Sequence, residues 1–142
     1  MTLIEYVGEL RCRSEHAESG VVVTTDAPKD NQGLGESFSP SDLLAVSLGS
    51  CVLSMMGIAA RSLSTDISGA TATVEKEMAN SPRRIAKISV AVRVPHDVAP
   101  DIVRSLEAAA HTCPVHNCLD PSLETPMTFT WGKHPAVLPA TK

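Results

Sequence analysis

The sequence predicts a single α+β domain in which antiparallel strands surround one long, apolar helix. Two observations carry that expectation. Eighteen consecutive positions, 43–60, hold no charged side chain, and a helix-start signal precedes them. Segments of strand length, β-branched or alternating, lie on both sides of this stretch and are punctuated by turn residues. Strands before and after one hydrophobic helix favour an antiparallel sheet packed against that helix.

Taken in order, residues 3–13 read as a strand. The polar segment 15–20 ends in Gly20 and suits a turn, and Val21-Val22-Val23-Thr24-Thr25 is β-branched throughout and reads as a partner strand. Residues 26–38, with Pro28, Asn31, Gly33 and Gly35, form a loop. Ser39 then supplies an N-cap, Pro40 fits the first helical position, and Asp42 stands three residues after the cap near the positive end of the helix dipole. The helix is expected to run to about residue 63. Its apolar residues surround most of its circumference, so it is expected to be central and partly covered by a second subunit. Residues 67–78 and 85–94 form a hairpin about Asn80-Ser81-Pro82, with Ile88, Val90, Val92 and Val94 on one face. A second helix, about 100–112, shares Ile102, Val103, Leu106 and Ala110 on one face, and Pro114 places Cys113 at or just past its end. A last strand, 127–131, precedes a tail containing Pro135 and Pro139.

Composition narrows the functional classes. The chain of 142 residues is 43% apolar, enough for one hydrophobic core. Only 3% is aromatic and the net charge is −4, so neither base stacking nor a phosphate backbone is expected as a binding mode. The N-terminal residues lack the basic and apolar regions of a signal peptide, so a cytoplasmic location is expected. Ser47, Gly49, Ser50, Ser54 and Gly57 make the uncharged stretch only moderately apolar, which favours a buried helix over a membrane span. In a reducing compartment, cysteines are more often catalytic, redox-active or metal-binding than disulfide-bonded.

There are four: Cys12, Cys51, Cys113 and Cys118. Cys51 lies mid-helix in Gly49-Ser50-Cys51-Val52, where small neighbours permit close approach by another element or a substrate. At the C-terminal, negative end of a helix dipole, Cys113 is a poor first nucleophile and a plausible second one. Cys12 on the first strand is most simply a core residue. His111, Cys113, His116 and Cys118 fall within eight residues and suggest a rival reading, a metal-binding or metal-sensing protein. A third reading is a non-catalytic dimer that binds a small apolar ligand between its long helices.

Two segments carry a more specific signal. Ser39-Pro40-Ser41-Asp42-Leu43-Leu44, followed by Leu48-Gly49-Ser50-Cys51, resembles the first signature of the OsmC/Ohr family, the osmotically inducible and organic-hydroperoxide-resistance proteins. Ala110-His111-Thr112-Cys113-Pro114-Val115, with Asn117, resembles the second. The order of elements is similar to the family's over about residues 3–131.

The resemblance implies an intertwined homodimer and a thiol peroxidase acting in oxidative-stress defence. Cys51 would attack the hydroperoxide and become a sulfenic acid, Cys113 would resolve it to a disulfide, and an external dithiol would reduce that disulfide, with no cofactor and no bound metal. It also implies an Arg from the N-terminal strands and a Glu near the start of the long helix. Arg11 and Arg13 share a face of the first strand; Arg13, nearer the turn, is favoured. Ten residues before Cys51, where the peroxidase branch carries Glu, stands Ser41. Glu36, in the preceding loop, is the acid favoured to replace it, with Asp42, or no acid at all, as the alternatives. Cys118 competes as a resolving thiol, and His116 as a group that tunes a nearby thiolate.

Overall fold

The structure is a computed structural model and describes residues 1–133. The Pro135–Pro139 part of the expected tail lies outside the described residues. Two compact units are present, Met1–Leu44 and the chain from Ala45 onward.

The first unit is a three-stranded antiparallel sheet, β1 (Thr2–Gly8), β2 (Arg11–His16) and β3 (Val22–Asp26), in that order. The single strand expected over residues 3–13 is therefore a hairpin. Gly8, Glu9 and Leu10 take positive φ values of 92°, 50° and 59°, which reverses the chain in two residues. Glu and Leu are not residues that announce such a turn, so Gly8 alone marked the break in an otherwise strand-like run. From Thr2 to Val7 every residue of β1 is exposed. Leu3 and Val7 show on one face of the sheet, Ile4 and Tyr6 on the other.

Helix α1 (Pro40–Ser62) starts in the first unit and continues in the second. Its start is the reciprocal cap the sequence predicts. Asp42 N–H donates to Ser39 Oγ at 3.1 Å, and Ser39 N–H donates to Asp42 Oδ2 at 2.8 Å. With a mean hydropathy of 2.0 over an 18-residue window, α1 is long and apolar enough to cross a membrane. Here Ala45, Leu48, Gly49, Val52, Met56 and Ala60 form one buried stripe. The expectation that apolar residues surround the helix holds, because Leu44, Val46 and Ile58 lie exposed off the stripe.

The second unit holds the other sheet, β4 (Thr71–Ala79), β5 (Arg84–Val94) and β6 (Met127–Trp131). Strands β4 and β5 form the expected antiparallel hairpin, with Val74 opposite Val90 and Ala72 opposite Val92. Strand β6 instead pairs in parallel with β5, Val92 opposite Phe129. Not every pairing is antiparallel, because α2 (Pro100–Ala110) forms a crossover between β5 and β6 and returns the chain in the direction of β5. Ile88, Val90, Val92 and Val94 are buried and join the α1 stripe, Leu106, Ala110 and Cys113 in one core. The opposite face carries Thr73, Glu75, Ser89, Arg93 and Thr128, the pattern of a sheet covered on one side.

Candidate functional site

Cys51 is placed by the approach of α1 to β4. A Cβ on Gly49 would lie 2.8 Å from Val74 Cγ1 and 3.7 Å from Ala72 Cβ. Only glycine allows the helix backbone so close to the strand, and this sets Cys51, two residues on, half-buried against the core.

Cys113 arrives from the other side of the core sequence. Helix α2 ends at Ala110, and two residues of turn follow: His111 N–H donates to Ala108 O at 3.2 Å and Thr112 N–H to Ala109 O at 3.0 Å. Pro114 then opens a short helix, α3 (Pro114–Asn117), with Cys113 as its N-cap. The expectation that Cys113 sits at a negative helix end is thus refined. Proline does bar Cys113 from α2, but it also starts the next turn, and Cys113 Sγ accepts the His116 backbone N–H at 3.4 Å.

The two thiols meet. Cys113 is fully buried and hydrogen-bonds to Cys51, which keeps partial access to solvent. Burial pushes the Cys113 thiol above its ordinary range, the hydrogen bond to Cys51 raises it further, and the His116 N–H opposes both without cancelling them. Cys113 therefore keeps its proton to higher pH than an unperturbed thiol does. The arrangement suits one accessible nucleophile and one buried thiol in reserve.

In the N-terminal unit, Arg11, Asp26 and Glu36 form a charged cluster. Arg11 on β2 stands opposite Asp26 on β3. Its Nη2 bonds to Glu36 Oε2 and lies 3.6 Å from Asp26 Oδ2. Glu36 is brought there by a tight loop. A Cβ on Gly33 would overlap the Ala27 carbonyl, and Gly35 has φ +63°. Arg13 pairs with Glu15 at 2.7 Å. Asp42 serves the α1 cap, and Ser41 Oγ lies 3.0 Å from Ser39 Oγ. Asp26 was missed by sequence reasoning. Its signal is an acid that ends a β-branched run, in register with an arginine.

The His111–Cys118 cluster disperses. His111 meets Phe129 edge-on, with ring centroids 6.2 Å apart, and His116 Nε2 lies 2.8 Å from Thr125 Oγ1. Cys113 faces Cys51, and Cys118 is exposed at the end of α3. Among the described residues no three His, Cys, Asp or Glu side chains converge on a common metal position. The metal-binding reading of these four residues is corrected on that ground: the turn that caps at Cys113 splays them apart. Cys12 is half-buried on β2, opposite Thr25.

A family model described as OsmC-like protein matches residues 33–127. No curated protein matches the chain. Among solved structures, a protein of Psychrobacter arcticus 273-4 named for osmotic stress induction and detoxification response is 40% identical. The match covers 90% of this chain and 93% of that one, with a TM-score of 0.87. An organic hydroperoxide resistance protein OsmC of Legionella pneumophila shares the fold at 16% identity and a TM-score of 0.74, covering 92% and 96%. An organic hydroperoxide resistance protein of Elizabethkingia anophelis does so at 16% and 0.73, covering 92% and 94%.

Proposed function

Because the chain belongs to the OsmC-like family, we propose that it is a thiol peroxidase of the oxidative-stress response that reduces organic hydroperoxides. The contact between the Cys51 and Cys113 thiols carries this reading. The names of the Legionella and Elizabethkingia structures, which share its fold, support the substrate class.

The Cys51 thiolate attacks the terminal peroxide oxygen. The O–O bond breaks, the alkoxide takes a proton and leaves as an alcohol, and Cys51 is left as a sulfenic acid. Cys113, already held against Cys51, attacks the sulfenic sulfur; an S–S bond forms and water leaves, carrying the Cys113 proton. An external dithiol then reduces the disulfide by thiol exchange and is itself oxidised. Arg11, paired with Glu36, is the guanidinium we assign to support the thiolate and the departing oxygen, with Arg13 as the alternative. Apolar side chains on both faces of β1 and on the exposed side of α1 support a homodimer as the working assembly. The cytoplasm is its proposed location.

The test is a stoichiometric hydroperoxide pulse followed by mass spectrometry. A Cys51–Cys113 disulfide is expected in the native chain and none in Cys51→Ser, while Cys113→Ser accumulates sulfenic or overoxidised Cys51. An unmodified Cys51 after full exposure sinks the proposal.

A further inference from the structure

The N-terminal unit buries a carboxylate that the proposed chemistry does not use. Asp26 is 1% exposed, a state that acidic side chains adopt when a partner holds them there. Two partners do. The guanidinium of Arg11 lies 3.6 Å from Asp26 Oδ2, and the same oxygen accepts the backbone N–H of Glu36 at 2.9 Å. Backbone bonds from Asp26 N–H to Phe38 O at 3.0 Å and from Ala27 N–H to Leu10 O at 3.2 Å fix the strand end around it. The two acids around Arg11 thus differ in kind. Glu36 is exposed at the tip of a loop, whereas Asp26 is rigid, buried and part of a sheet. Arg11 Nε and Asp26 Oδ1 are both buried without a hydrogen-bond partner, so each member of the pair turns a further polar atom away from solvent.

We infer that Asp26 is a positioning residue. It fixes the Arg11 guanidinium by charge and, through the Glu36 N–H, sets the loop that brings the Glu36 carboxylate to it. One buried oxygen therefore orients both members of the Arg11–Glu36 pair. This inference rests on the reading of Arg11 as the arginine of the peroxidase site, and it gives that site a fixed reference that exposed Glu36 does not supply.

The test combines kinetics with an observation that needs no activity. Asp26→Asn keeps an oxygen for the Glu36 N–H and removes the charge. Its kcat/KM for an organic hydroperoxide is expected to fall on the order of tenfold, because the charge that holds the guanidinium in the 3.6 Å ion pair is gone. Added to Arg11→Ala, the same change is expected to cause no further fall, because it acts through the residue already removed. An equal fall in both backgrounds overturns the inference. By ¹⁵N NMR, the Arg11 Nη2 protons, which lie between Asp26 and Glu36, are expected to give a protected signal in the native protein that exchanges rapidly in Asp26→Asn; an unchanged signal overturns the inference. Glu36→Gln, a surface change, covers the case in which Asp26→Asn does not fold. The Arg11 signal is expected to persist there, and its loss would make Glu36 the anchor and refute the role given to Asp26. A native protein that leaves hydroperoxide untouched defeats the peroxidase reading alone, and the NMR comparison still decides on Asp26.

Discussion

Gly49→Ala sets two physical effects against each other. In a helix interior the change from Gly to Ala is worth about 1 kcal/mol in favour of the folded state. In α1 the new methyl would stand 2.8 Å from Val74 Cγ1, where carbon atoms rest at about 3.5–4.0 Å. Val74 is β-branched, faces the core and has little rotamer freedom to give way. The remaining relief is for α1 to withdraw from β4 by more than about half an ångström. Overpacking of this kind costs about 1–3 kcal/mol, so the propensity gain is cancelled and a net loss of about 1 kcal/mol is expected. Urea unfolding under reducing conditions measures it, as a lower midpoint at unchanged slope. The same withdrawal carries Cys51 with it, so the Cys51–Cys113 disulfide should form more slowly after a peroxide pulse. A Gly49→Ala protein more stable than the native chain would show that propensity alone governs the position, and would refute the account of how Cys51 is placed.

Two further outcomes follow from the helix cap and the buried thiol. Ser39→Ala removes the acceptor for the Asp42 N–H and should cost about 1 kcal/mol of stability, read from the same urea transition. The Cys113 thiol is raised above its ordinary value of 9.0. Below that pH both folded and unfolded chains keep the proton. Above it the unfolded chain ionises first, and stability falls with pH until the folded thiol ionises as well, by at most about 1.4 kcal/mol per pH unit. Cys113→Ser should remove this alkaline slope, and an identical slope in the two proteins would refute the raised value.

What was readable in the sequence is what local chemistry dictates. Ser39, Pro40 and Asp42 specify a helix start through bonds made within four residues, and the alternation of Ile88, Val90, Val92 and Val94 specifies the buried face of β5. Strand β6 was placed to the residue, yet its parallel pairing depends on which edge of β5 the crossover reaches, and no property of residues 127–131 states that. At the turn, Glu9 and Leu10 are not residues that prefer positive φ, so Gly8 was the one mark of the hairpin in an otherwise strand-like run. For the thiols, Pro114 correctly excluded Cys113 from α2. Its second effect, starting α3 and turning an N–H toward the sulfur, required knowing that the chain continues in a helical turn. That Arg11 and not Arg13 meets Asp26 on the neighbouring strand and Glu36 in the following loop is something strand alternation within β2 cannot state.

The burial of Cys113 beside a helix cysteine about 60 residues earlier in the chain has a thermodynamic consequence for the proposed redox cycle. A bond between Cys51 and Cys113 would close a loop of about 60 residues, and the lost freedom of the unfolded chain would favour the native state by up to about 4 kcal/mol. Oxidation would then do more than pass two electrons to the peroxide. Each turnover would carry the protein between a looser and a tighter state, and the reductant that releases Cys51 would also return conformational entropy to the unfolded ensemble. The resting, reduced protein would thus be the less durable of the two forms, and exposure to peroxide would itself strengthen the chain.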